Sequence, residues 1–298
     1  GQFLYDKDAL ETFPPGSLAK VMTLLLAVEA VGRGEVRLHQ NVTVSQKALS
    51  YRTDQSLRHY QEGERVRFSD LLYAAYIGSE SEACYIIAET VGGTVPEFVS
   101  HMNARARALG CTDTLFSDPA GEGNGEQYTT ARDQVVIFSA AVENSLFLSI
   151  AQTTTYRAAA TNLSPERTIV NSNLALRPGT AYYYPGLYAG KTDSSPDNGY
   201  SFISAAQAGS LHLFAAVIGA QAVREGGTVL AESYTETARL YDWAVSSFSW
   251  RNVTMEHKSV ATMPVRYGLG RGTVDLSPAE TVRLLLPNSV TDEDITYT

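Results

Sequence analysis

The chain has 298 residues, 44% of them hydrophobic and 18% charged, with a formal net charge of −9. That is the composition of a folded globular protein, outside the disordered class. The acidic balance, with no run of Lys and Arg to offset it, disfavours nucleic acid and anionic membrane surfaces as partners. No apolar stretch reaches the roughly 18–20 residues that span a bilayer. The chain opens at Gly1 without Met or a signal sequence and is read as a mature or trimmed form.

Gln2 to Tyr5 alternates weakly and predicts a first strand, with a turn at Asp6-Lys7-Asp8. Pro14-Pro15-Gly16 breaks the chain. Ser17 to Gly32 is then apolar on every side, a helix that belongs in the middle of a domain. Ser69 to Gly78 predicts a second helix with Ser69 as its cap, and Ser81 to Val91 another closed by Gly92-Gly93. Val95 to Leu109 is amphipathic and ends at Gly110. A turn-rich loop, Ser117 to Gln127, precedes a helix started by Thr130, with Asp133 three residues on in a near capping box.

After Arg167 the pattern changes. Tyr200 to Gln207 and Leu211 to Gly219 are β-type runs joined by Ala208-Gly209-Ser210, a hairpin signal. A helix follows over Glu232 to Phe248. Beyond Trp250 come short strands, Lys258 to Tyr267, Thr273 to Leu276 and Thr281 to Leu286. This tail is too short to stand alone as an all-β domain. The expected organisation is one α+β domain over residues 1–249, followed over 250–298 by the beginning of a small β-rich domain cut at Thr298. Cys84 and Cys111 read as buried packing residues, and the five histidines form no metal-ligand spacing.

Chemistry concentrates at Ser17-Leu18-Ala19-Lys20. Residues three apart share a helix face, so the hydroxyl and the amine can meet. A serine hydroxyl attacks only when a base takes its proton, and a lysine serves as that base in its neutral form, which burial and a nearby cation favour. The backbone N–H of Ser17 lies at a helix N-terminus, where it is a candidate oxyanion donor.

The string Pro14-Pro15-Gly16-Ser17-Leu18-Ala19-Lys20-Val21-Met22-Thr23 resembles the nucleophile motif of the low-molecular-mass penicillin-binding proteins, which are D-alanyl-D-alanine carboxypeptidases. Their superfamily carries Ser-x-x-Lys, then a Ser-x-Asn type motif, then Lys-Thr-Gly. Here the second place is Tyr76-Ile77-Gly78-Ser79-Glu80-Ser81-Glu82, with Ser81 where asparagine is usual. The third is Tyr188-Ala189-Gly190-Lys191-Thr192-Asp193, with Asp193 where glycine is usual. Arg167 to Leu174 and Tyr128 to Asp133 are similar to other family stretches.

The resemblance implies a β-lactamase/transpeptidase-like fold, an antiparallel sheet flanked by helices with a helical subdomain. It implies Ser17 as nucleophile, Lys20 as base and Ser79 as proton relay to the leaving D-alanine. Ser81, Lys191, Thr192, Asp193 and Ser194 then line the substrate, Lys191 and Thr192 binding its carboxylate and Ser194 supplying a second oxyanion N–H. The substrate is a peptidoglycan stem peptide ending in D-Ala-D-Ala, and β-lactams are covalent inhibitors. No metal or organic cofactor takes part. The expected place of action is extracytoplasmic, in the bacterial cell envelope, with membrane attachment only through a segment outside this chain.

Two departures bear on activity. Ser81 is shorter than asparagine and leaves one amide contact at risk, at a cost of roughly 0.5–1.5 kcal/mol. Asp193 adds bulk and a negative charge two residues from Lys191, and so is expected to slow acylation by partly neutralising that lysine. Two other readings share these residues. One is a catalytically weakened homologue that binds penicillin and peptidoglycan. The other is a serine β-lactamase, which needs a carboxylate to activate the deacylating water; Glu166 lies much nearer the third motif than that role requires. Arg224, in a loop after the hairpin, reads as a surface arginine.

Overall fold

The computed structural model describes residues 1–51, 59–123, 125–195, 199–225, 228–267, 270 and 272–295. In chain order the elements are β1 (Thr12–Phe13), a 3-10 turn over Gly16–Leu18, α1 (Ala19–Gly32), β2 (Asn41–Thr43), α2 (Gln46–Ser50) and β3 (Arg65–Arg67). Then come α3 (Phe68–Tyr76), α4 (Ser81–Gly92), α5 (Val95–Ala108), β4 (Thr129–Thr130), α6 (Ala131–Val142), α7 (Ser145–Gln152), β5 (Thr155–Ala158) and β6 (Arg167–Val170). The strands β7 (Leu187–Ser195), β8 (Gly199–Ala208) and β9 (Leu211–Ala220) form an antiparallel meander, followed by β10 (Ala222–Glu225), β11 (Thr228–Ala231) and α8 (Glu232–Ser247). The last strands are β12 (Phe248–Thr254), β13 (Ala261–Pro264), β14 (Thr273–Leu276) and β15 (Val282–Pro287).

The chain divides into two compact units, residues 1–207 with 212–240, and residues 208–211 with 241–298. In the first, α1 is the centre. Every residue from Ala19 to Val28 is buried, and the helix touches α3, α4, α5, α6 and α7. Its lack of a polar face in the sequence is the direct cause: a helix apolar all round lowers its free energy only when surrounded. Helix α6 starts as the sequence predicts, with Thr130 Oγ1 accepting the Asp133 N–H at 3.1 Å. The Asp133 carboxylate does not complete the capping box. It accepts from the Asp113 N–H and the Thr114 hydroxyl instead. Cys84 and Cys111 are free and buried.

In the second unit, β12 pairs antiparallel with β15, and β13 pairs antiparallel with β14. No single helix among the described residues is long and apolar enough to cross a membrane.

Three local expectations are corrected. Gln2 to Tyr5 is not a strand: alternation says which way side chains face but supplies no partner for the backbone groups. Phe3 and Tyr5 both face solvent, and the first pairing is Thr12–Phe13 with Thr129–Thr130. Ser69 does not cap α3. Burial of Phe68 draws the helix start upstream to Arg67, and the Ser69 hydroxyl donates to Asp70. The strand expected over Lys258 to Tyr267 is confined to β13, while β12 went unrecognised because it follows α8 with no turn residue between them.

Candidate active site

The Pro15-Gly16 step sets the entry to α1. Gly16 adopts φ +51°, in the left-handed region that glycine occupies without strain. The chain then makes a single 3-10 turn holding Ser17 before the α-helix begins at Ala19. One turn on, the buried Lys20 reaches back. Its Nζ lies 3.2 Å from Ser17 Oγ, 3.3 Å from Ser79 Oγ and 3.0 Å from the Ser79 carbonyl oxygen.

Ser79 sits between α3 and α4, far from α1 in sequence. Its φ of +57° is in the left-handed region, where a residue with a Cβ pays of order 1–2 kcal/mol. In return its hydroxyl stands at the centre of the site, 3.3 Å from Ser17 Oγ and 3.0 Å from Lys191 Nζ. Lys191 comes from the middle of β7, 1% exposed, with the Tyr76 ring 6.0 Å away. The Tyr76 hydroxyl donates to the Gly190 carbonyl at 3.2 Å. Burial pulls the Lys191 ammonium down to about 7, with the neighbouring Lys20 acting in the same direction and Asp193 opposing.

A buried ion pair holds the Ser79 junction. The Glu80 carboxylate accepts two hydrogen bonds from Arg167, at 2.5 and 2.7 Å, and one from the Tyr60 hydroxyl at 3.1 Å. Arg167 also donates to Tyr60 Oη at 3.0 Å. Burial, and then Glu80, push the Tyr60 phenol well above its ordinary range. In Arg167→Ala, Glu80 becomes a buried carboxylate without its cation. The expected loss is about 2–4 kcal/mol, at the lower end for buried pairs because the arginine is one-third exposed. Thermal melts of the variant check this, and its acylation should slow as the Ser79 backbone relaxes.

Strand β7 meets the 3-10 turn that holds Ser17 directly. Asp193 Oδ1 accepts the backbone N–H of Ser17 at 2.7 Å. A Cβ on Gly16 would overlap the Asp193 carboxylate atoms. On the other side, a Cβ on Gly121 would overlap the Gly16 carbonyl oxygen. Asp118 shapes that second wall: its Oδ1 accepts the N–H groups of Ala120, Gly121 and Glu122, and its Oδ2 accepts from Gln127. The peptide preceding Ser17 is thus gripped between the Asp118–Gly121 segment and β7.

Of the residues singled out in the sequence, Ser17, Lys20, Ser79 and Lys191 come together in one cluster, and Asp193 joins it through the Ser17 N–H. The Thr192 hydroxyl lies 3.3 Å from Ser172 Oγ. Ser194 is exposed on β7, opposite Tyr200. Ser81 is buried at the first position of α4, and its hydroxyl joins none of the cluster's bonds. The side chain of Arg224 lies outside the described residues. Sequence reasoning missed Tyr60, Glu80, Arg167 and Asp118, whose roles depend on partners distant in the chain.

A buried α1 with Ser-x-x-Lys at its mouth, faced by a lysine from an antiparallel sheet, is the arrangement of the penicillin-binding-protein type of serine peptidase. A family model described as D-alanyl-D-alanine carboxypeptidase matches residues 1–222, and the chain belongs to that family of serine-type enzymes. It is 27% identical over 287 residues to D-alanyl-D-alanine carboxypeptidase DacF of Bacillus subtilis (strain 168), covering 96% of this chain and 69% of that protein. It is 31% identical over 245 residues to DacB2 of Mycobacterium tuberculosis, covering 82% and 78% of the two chains. The crystal structure of D-alanyl-D-alanine carboxypeptidase DacD from Francisella tularensis shares the fold, with a TM-score of 0.78 at 19% identity over 97% of this chain and 78% of that one.

Proposed function

We propose that Ser17 is the nucleophile of this carboxypeptidase and Lys20 its base, acting on a peptidoglycan stem peptide ending in D-Ala-D-Ala. The observation that carries this reading is the 3.2 Å approach of Lys20 Nζ to Ser17 Oγ, with Ser79 Oγ bridging to both. Ser17 Oγ attacks the carbonyl carbon between the terminal D-alanines while its proton passes to the Lys20 amine. The C–N bond then breaks, and the leaving nitrogen receives its proton through the Ser79 hydroxyl. Water hydrolyses the Ser17 ester and regenerates the enzyme. A β-lactam opens on Ser17 by the same first step. Glu166, the carboxylate considered for a lactamase, is exposed and paired with Arg157. Peptidoglycan lies outside the cytoplasmic membrane, which puts the enzyme's work in the cell envelope. Residues 250–298 belong to a β-rich second domain.

Lys191, with Thr192 beside it, holds the terminal carboxylate of the substrate. Because burial brings the Lys191 ammonium down to about 7, its charge is present below that pH and is lost as pH rises through it. KM for a D-Ala-D-Ala peptide should therefore climb between pH 6 and pH 9. In Lys191→Arg, which keeps its charge, that climb should vanish. D-alanine release measured across this range tests the assignment, and an unchanged climb in the arginine variant would remove Lys191 from the carboxylate site. The reading as a whole is tested by D-alanine release together with intact-protein mass after exposure to penicillin.

A further inference from the structure

We propose that the Asp193 carboxylate is a built-in occupant of the oxyanion position, which every acyl donor must displace before Ser17 can react. The inference rests on Ser17 as nucleophile. As carbon becomes tetrahedral, its oxygen takes a negative charge and needs a donor placed in advance. The Ser17 N–H is such a donor: Leu18 and Ala19 already donate to the carbonyls of Pro15, Gly16 and Ser17, whereas the Ser17 N–H points out of the turn. In this structure it donates to Asp193 Oδ1 at 2.7 Å, the length of a charge-assisted bond. A carboxylate oxygen therefore stands where the oxyanion would form.

The surroundings fix this contact from both sides. The Gly16 peptide cannot turn its neighbour's N–H elsewhere, because Gly121 packs directly on the Gly16 carbonyl oxygen. The Asp193 carboxylate lies against Gly16, where only a residue without a Cβ leaves room for it. Asp193 itself is half-buried on β7, so its side chain can swing toward solvent without unravelling the strand. The resting site is closed by a side chain that can leave. Acylation then carries the added cost of breaking one charged hydrogen bond and moving a negative group away from a developing one.

This differs from a through-space effect on Lys191, and one substitution separates the two. The amide introduced by Asp193→Asn has no charge but keeps an oxygen that can accept from the Ser17 N–H. If the charge beside Lys191 were the cause, the asparagine variant would react as fast as Asp193→Ala and Asp193→Gly. If occupancy is the cause, alanine and glycine should accelerate acylation by penicillin by about ten- to a hundredfold, with asparagine in between. Second-order acylation rates of the four proteins, read by intact mass after checking that each melts cooperatively, provide the comparison. A peptide boronic acid gives an independent readout, since it bonds to the serine hydroxyl and places an oxygen at the oxyanion position. Its affinity should rise by a similar factor in the alanine variant. Labelling of the wild type as fast as of the alanine and glycine variants, or an asparagine variant as fast as both, overturns the occupancy proposal and leaves Ser17 as nucleophile. Absence of label on all four overturns the nucleophile assignment and the proposal with it.

Discussion

Ser17→Ala is expected to abolish covalent labelling by penicillin and to reduce D-alanine release to the background of non-covalent catalysis. Losing the nucleophile of a serine peptidase costs about 10⁶-fold in kcat, because no neighbouring group forms the ester in its place. The candidates close by are Ser79 and the two lysines. Ser79 is held by its carbonyl and hydroxyl bonds to Lys20 and by the clamp on Glu80, so it cannot move forward to substitute. The fold should tolerate the change. Lys20 loses one acceptor and keeps two, both on Ser79, so the melting midpoint should reflect about 1 kcal/mol or less. Wild type should gain the full mass of one penicillin and the variant nothing. Label retained by the alanine variant would point to another nucleophile.

Lys20→Arg should fold but acylate about 10²- to 10⁴-fold more slowly, the range that a positioned general base contributes. Arginine keeps donors that Ser79 can accept, so the Ser79 contacts need not be lost. What it lacks is a neutral form able to take the Ser17 proton. The bulkier head in a site 3% exposed also costs about 1–3 kcal/mol of stability. Stopped-flow acylation at matched folded fraction separates the two effects. An arginine variant within tenfold of wild type would move the base role to another group.

The parts of the site legible in the sequence are those encoded locally. Ser17 and Lys20 meet because one helical turn joins them, and the all-apolar stretch after them places that turn at the edge of a core. The hairpin of β8 and β9 is written in two β-type runs joined by a short glycine turn. The second and third motifs were legible by order and spacing, although their changes were harder to interpret. Glu80 carries no signal of its own in the sequence, and only its bonds to Arg167 and Tyr60 show it to be a clamp. Asp193 invited an argument about charge near Lys191, its neighbour along the strand. Its hydrogen-bonded partner is instead the backbone of Ser17, a relation no periodicity carries. The expected strand at Gln2 to Tyr5 failed for the same reason, since pairing depends on an edge elsewhere in the fold.

Ser17, Ser79 and Lys191 belong to three stretches that meet only when α1, the junction of α3 and α4, and β7 have all docked. Contacts so widely separated along a chain close late, after local helices and hairpins have formed. On a ribosome, no nascent chain that has not yet extruded β7 possesses the cluster. With Ser17 as the proposed nucleophile, reactivity toward penicillin is expected to mark the docking of these three elements. A pulse of labelled penicillin during refolding should mark molecules in which the three stretches have met, with collapsed intermediates that lack the cluster left unmarked however helical they are.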